Sequence, residues 1–268
     1  MSFAQLEAKL LEVLLENDDR AAPFATPFDA IARRLDAESA AHWLAAAAVQ
    51  LARGGEERPT LLRYKVVAVR KYRPSFYHDV QVFECWVENR EARYGTLSYL
   101  EFENRLVVLK GQSPVIHNVN RSQDLNLPLE HAAEYLRFFG WHVRGEAGPF
   151  VMADDPRLLP WAEDAPPELR ERVASRLRTI VPERGEAPLN PEQREAALRR
   201  SGQVPEVFNV VVTVPYEGGL SPAPRRSDPR GPGNMVEDEP LETNLPVYRW
   251  LSTPHGALFQ EPPPKAPA

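Results

Sequence analysis

Apolar residues at Phe3, Leu6, Leu10, Val13 and Leu14 recur at helical spacing. Ser2 and Gln5 ahead of them have the form of a capping box, in which each side chain satisfies an orphaned backbone N–H. Asn17, Asp18 and Asp19 end this segment. Thr26 followed by Pro27 reads as an N-cap with proline at the first helical position, and Phe28, Ile31 and Leu35 form a short stripe after it. A third helix carries Trp43, Leu44, Ala47 and Leu51, with Gly54 and Gly55 as a left-handed stop. Residues 1–55 therefore read as an N-terminal helical segment.

The period changes after Leu61. Tyr64, Val66, Val67 and Val69 crowd one run. In the next, Val80, Val82 and Trp86 share one face while Phe83, Cys85 and Val87 share the other, the pattern of a strand covered on both sides. Thr96–Phe102 and Arg105–Leu109 follow, joined through Glu103 and Asn104. Such short gaps suit hairpins, because parallel pairing needs a long return path. The expectation is an antiparallel β-meander of four or five strands between Leu61 and Asn118. Helix returns at Leu127–Val143, with Pro128 near its start, Ala132, Leu136, Phe139 and Val143 facing inward, and Gly140 as an end or kink. Gly145, Gly148 and Pro149 make a turn before a short strand at Phe150–Met152. Sheet and helix together make a core over residues 56–153.

Residues 154–206 read as a helical insertion: a proline-punctuated connection, a helix on Leu169, Val173, Leu177 and Ile180 stopped by Pro182, and a weaker one from Asn190, Pro191 and Gln193. Residues 207–259 hold a valine-rich strand at Val207–Val214, expected to return to the sheet, then a long loop from Pro215 to Gly233 and an edge strand at Leu245–Leu251. Gln260–Ala268 is a proline-rich tail. The fold class is thus α+β: an antiparallel meander packed against helices, with an N-terminal helical segment and a proline-rich C-terminal loop and tail.

At 43% hydrophobic and 26% charged residues over 268 positions, the composition is that of a globular chain; only the 27 prolines stand out. The abundance of Ala, Arg and Pro reads as base composition of a bacterial kind. The net charge of −6 disfavours bulk nucleic-acid binding, which requires a cationic surface. Arg70, Lys71, Arg73, Arg225, Arg226 and Arg230 are the cations such a surface would use. Cys85 stands alone, so no intramolecular disulfide can form. With neither a signal-peptide pattern at the start nor a spanning apolar run, a cytoplasmic protein that does not engage membrane is expected.

Motifs for chemistry are sparse. The sequence holds no phosphate-binding glycine loop, no paired cysteines, no His-Glu-x-x-His and no nucleophile elbow, so neither a metal nor a cofactor is expected. Cys85 lies mid-strand, where a small buried hydrophobe suits better than a nucleophile. His131 and Glu134 sit three apart on one helix, spaced to share a ligand or serve as acid–base groups, with Glu130 and His142 nearby. Asp154 with Asp155, and Glu237, Asp238 and Glu239, lack the ordered spacing of a calcium loop.

His117, Asn118 and Asn120 follow Val115 and Ile116 and are read as a polar cluster at a strand end, where ligand contacts often lie. Tyr135, Phe138, Phe139, Trp141 and Phe150 exceed what one amphipathic face needs and leave aromatics for an interface. The expected binding residues are therefore His117, Asn118, Asn120, Tyr135, Phe138 and Trp141. The leading expectation is a non-enzymatic accessory protein acting through a protein partner, with the proline-rich segments as recognition elements. The alternative is a small-molecule enzyme with a polar pocket near His117, Asn118 and Asn120 and His131 or Glu134 as acid–base group.

Overall fold

A computed structural model describes residues 2–15, 24–54, 60–187, 189–201, 203, 206–216, 219–227, 233–235 and 243–261. The segments read as Asn17–Asp19, Gly55, Glu237–Pro240 and most of the proline-rich tail lie outside these residues. The elements in chain order are α1 (Phe3–Leu15), β1 (Arg33–Arg34), α2 (Ala37–Arg53), β2 (Lys65–Tyr72), β3 (Gln81–Glu88), β4 (Tyr94–Phe102), β5 (Arg105–Val108), α3 (Ser113–Ser122), α4 (Leu129–His142), β6 (Arg144–Gly145) and β7 (Gly148–Pro149). Then come α5 (Pro167–Ala174), β8 (Glu183–Glu186), α6 (Pro191–Ser201), β9 (Glu206–Tyr216), β10 (Gly219–Ser227), β11 (Gly233–Met235), β12 (Arg249–Ser252) and β13 (Leu258–Glu261).

The chain is α+β. Strands β2, β3 and β4 run as an antiparallel meander, extended by β1 on one side and by β13 and β12 on the other. The far edge of β4 is shared: β5 pairs Tyr99–Phe102 and β13 pairs Gly95–Thr96. Glu103 and Asn104 both take positive φ (51° and 57°), the two-residue turn whose twist suits a hairpin. Strand β3 is buried from Val82 to Val87, as its two-faced apolar pattern predicts.

Each face of this sheet carries its own core. Val69, Phe83, Cys85, Val87, Leu97 and Tyr99 meet α1 and α2, whose alanines at 40, 41, 47 and 48 let the helix lie close. Trp43 of α2 stacks on Phe83 at 4.3 Å. Tyr72, Val82 and Leu100 on the opposite face meet Phe28, α3 and the aromatic side of α4. The capping box forms as predicted, Ser2 N–H to Gln5 at 2.8 Å and Gln5 N–H to Ser2 at 3.3 Å.

Several local expectations are corrected. Thr26–Pro27 opens a tight turn and not a helix, because Thr26 and Asp29 hydrogen-bond each other and Leu35 N–H is drawn to the β2 carbonyl of Val69. Gly54 ends α2 at φ −74°, so no left-handed residue is needed there. The valines of β9 do not return to the main sheet. They pair with β8 and β10 in a separate sheet of order β11-β10-β9-β8, and the returning strand is β13. Part of the expected 215–233 loop is therefore strand β10. Helix α5 stops at Ala174, and Phe150–Met152 is extended without strand pairing. Ile180, Val210, Val212 and Val214 seat the second sheet on Leu136 and Met152.

Candidate functional site

His117, Asn118 and Asn120 lie on helix α3, not at the end of a strand; at about 100° per residue His117 and Asn120 share a face towards α4 while Asn118 is turned away from it. Asn120 is buried: its Oδ1 accepts from the Tyr77 hydroxyl and its Nδ2 donates to the Tyr135 hydroxyl at 2.8 Å. Burial pushes the Tyr135 phenol up to about 12, so this chain of bonds stays neutral. His117 leans on Phe139 at 5.7 Å, and partial burial followed by Arg121 lowers its pKa. Asn118 faces out and accepts from Arg121. Tyr135, Phe138 and Trp141 are 1% exposed or less, packed into the core that joins α4 to the sheet. The six residues do not converge on one point.

His131 and Glu134 do share a partner, Ser75 in the β2–β3 connection. Ser75 N–H donates to Glu134 Oε1 at 2.9 Å, its hydroxyl bonds the other Glu134 oxygen, and its Oγ lies 2.7 Å from His131 Nδ1. A serine hydroxyl has one proton. Given to the carboxylate, it leaves His131 Nδ1 as donor to Oγ, the reverse of what general-base activation of the serine requires. The trio pins a loop to α4. Among the described residues no group of three or more His, Cys, Asp or Glu is placed to hold a metal. Cys85 is fully buried, and burial, then Glu84, push its thiol pKa far up, which removes the nucleophile a thiol enzyme needs.

The sequence reading overlooked a second polar group on the inner face of the sheet. Arg70 on β2 and Glu84 on β3 are register partners, 6% and 0% exposed. Arg70 Nε and Nη2 donate to Glu84 Oε1 at 3.1 and 2.8 Å, while Nη1 reaches Asp29 Oδ1 at 2.5 Å and Nη2 also reaches Thr26 Oγ1. Trp86 Nε1 donates to the same Glu84 oxygen at 3.0 Å, and its ring lies 4.9 Å from the guanidinium. Burial opposes the Arg70 charge, but the Glu84 and Asp29 carboxylates outweigh it and raise its pKa. Arg70 is thus an internal ion-pair partner, not the surface cation considered for nucleic acid.

The same face continues across β4, where Ser98 opposes Glu84 and Thr96 opposes Trp86. Above it ends α4. His142, its last residue, is fully buried and held well below the ordinary histidine range by burial and then by Arg144; its Nε2 bonds the Tyr72 hydroxyl at 3.1 Å. Two residues on, the Arg144 stem packs at 3.0–3.2 Å from where a Cβ on Gly111 would stand, and its Nη1 donates to Gly256 O at 3.0 Å. Both glycines take positive φ (90° and 89°), so a side chain at either would be strained as well as in the way. Burial brings Arg144 down to about 10, with Glu84 acting in the opposite direction.

Glu84 Oε2, Thr96 Oγ1, Ser98 Oγ, His142 Nδ1, and Arg144 Nε and Nη2 are all shut off from solvent without a hydrogen-bond partner in the protein. Each such atom costs about 1–3 kcal/mol. Six of them sum to roughly the whole stability of a domain, about 5–15 kcal/mol, so the cluster requires polar company. The one sequence signal for it was Glu84, a charged residue midway along the strand that reads as covered on both faces. Comparison with family models, curated proteins and solved structures returns no match.

Proposed function

We propose that this chain is a non-enzymatic binding protein that engages a protein partner through its second sheet and helix α6. The observation that carries this reading is that α6, over its 11 residues, buries none of them. An isolated helix of this length is marginal in water. Local support comes from Asn190 and Gln193, which cap it reciprocally at 2.8 and 3.1 Å, and from the Glu195–Arg199 and Arg194–Glu186 pairs, worth a few tenths of a kcal/mol each by about the usual measure. A helix retained on so little is explained by a surface it docks against.

Val181, Leu198 and Val211, at 61%, 45% and 44% exposed, put apolar area on the same stretch of chain. A polar rim with apolar anchors is the ordinary composition of a partner surface. With Cys85 as the single cysteine no intramolecular disulfide can form, which fits a reducing compartment and so a cytoplasmic site of action. No helix among the described residues is long and apolar enough to cross a membrane. The test is a photo-crosslinking amino acid placed at Leu198 in the producing cell, with Glu12 of α1 as control site. The reading expects a discrete adduct at position 198 that Val211→Asp abolishes. Equal, diffuse labelling at both sites, with a monomer in native mass spectrometry of the lysate, would overturn it.

A further inference from the structure

We propose that the partner of α6 is a second copy of this chain, docked antiparallel, helix to helix, about a two-fold axis at Ala196; this rests on the reading of α6 as a partner surface and names its occupant. At about 100° per residue, Glu192, Glu195, Ala196, Arg199 and Arg200 fall on one side of the helix. All five are exposed, and together they line a surface hollow of about 480 Å³. The other side faces the protein: Ala197 is the one half-buried residue of α6, and Arg194 reaches Glu186 of β8 at 2.9 Å.

The occupant follows from how the charges are laid along the outer side. Glu192 and Glu195 stand in its first half, Arg199 and Arg200 in its second, and Ala196 lies between them. The helix macrodipole favours that order of signs in any helix. It does not require the charges to gather on the side that faces away from the protein, nor a small residue at their centre. Laid antiparallel on its own copy, this surface is its own complement. Glu192 meets Arg200 of the partner subunit on one flank, Arg200 meets Glu192 of the partner subunit on the other, and the two alanines face each other on the axis. Glu192, Ala196 and Arg200 are spaced four apart and so form one ridge of the helix surface; two such ridges interdigitate in the commonest helix crossing, and alanine lets the axes approach. Glu195 and Arg199 already pair along the helix, whereas Glu192 and Arg200 have no ion-pair partner among the described residues. Such pairs fix register and partner choice more than affinity. A stable dimer takes about 800 Å² from each chain, so Val181, Leu198 and Val211 on the same stretch of chain make up its apolar part.

The test is sedimentation velocity of the full chain at low salt, from micromolar to submillimolar concentration, where a concentration-dependent dimer is expected. Glu192→Arg and Arg200→Glu should each weaken it by about tenfold or more, because the two-fold axis counts every reversal twice. The double variant should regain the dimer although both changes oppose the macrodipole, which separates pairing across the axis from mere helix stability. Ala196→Cys adds an accessible thiol to a chain whose Cys85 is fully buried. Oxidation should link two copies through it, since a disulfide needs Cβ atoms only about 3.5–4.5 Å apart, while Glu12→Cys on α1 should stay unlinked. Single reversals without effect, a double variant that stays weak, or equal linkage at positions 196 and 12 would overturn the antiparallel dimer. A chain that remains monomeric throughout while position 198 photo-crosslinks to a protein of another mass overturns the second copy and leaves the partner reading standing. Neither dimer nor adduct overturns both.

Discussion

Replacing Arg70 by Met keeps the length of the stem and removes the charge. The partner it abandons, Glu84, is 0% exposed and retains only Trp86 Nε1 as donor, at 3.0 Å. Stripping one member from a buried ion pair costs about 3–5 kcal/mol, because the other charge stays desolvated. The Asp29 arm adds little: its side chain is 44% exposed, so Asp29→Asn should cost no more than about 1 kcal/mol. Removing both ends together, Arg70→Met with Glu84→Leu, eliminates the stranded charge. That double variant should lie within about 2 kcal/mol of the parent or above it. Urea unfolding followed by tryptophan fluorescence supplies all four corners of the cycle. A single Arg70→Met loss below about 1 kcal/mol, or a double variant as damaged as the sum of the singles, would refute the account of this pair as mutually dependent.

Three further outcomes are expected. Gly140 lies inside α4, and a Cβ there would stand 2.4 Å from the Phe150 carbonyl oxygen, so Gly140→Ala should lose about 1–2 kcal/mol in urea despite its helix-propensity gain of about 1 kcal/mol. His142 refuses a proton when folded, so the unfolded chain binds more protons below about pH 6.5, and stability should fall as the pH is lowered through that range, by up to about 1.4 kcal/mol per unit. His142→Gln should flatten that slope, and an unchanged slope counts against the assignment. Cys85 should resist a thiol reagent in the native state and react at the rate of global opening; rapid labelling in buffer would contradict its burial.

The meander was legible because its turn chemistry and two-faced apolar runs agree: Glu103–Asn104 sits where a two-residue hairpin needs it, and β3 is apolar on alternate and intervening positions alike. The error at Val115–Asn118 arose from length. Val115 and Ile116 are β-branched or bulky neighbours in a short run, and such runs fit strand or buried helix equally; Pro114 at the first turn of α3 decided the matter. The destination of β9 was not legible, since alternation along Phe208, Val210, Val212 and Val214 requires an apolar surface without saying which one. The inner polar cluster escaped for a related reason: Arg70, Glu84 and Ser98 are on three strands that only pairing register brings together, and Arg144 joins them from the separate β6–β7 hairpin that follows α4.

The burial of the α4 aromatics bears on where the proposed partner surface lies. Tyr135, Phe138 and Trp141 were counted as surplus on the assumption that α4 buries one face. It buries two: Ala132, Tyr135, Phe138 and Trp141 against the main sheet, Leu136 with Ala133 against the second. A helix apolar around most of its circumference is an interior helix, so its aromatics are consumed by the fold and leave nothing for recognition. The same sandwiching gives the second sheet its inner support, which frees the chain from Val181 to Val211 to present apolar side chains outward. The helix that buries nothing is then α6, and the proposed recognition surface lies not on the aromatic-rich helix at the centre but on the polar helix at the periphery.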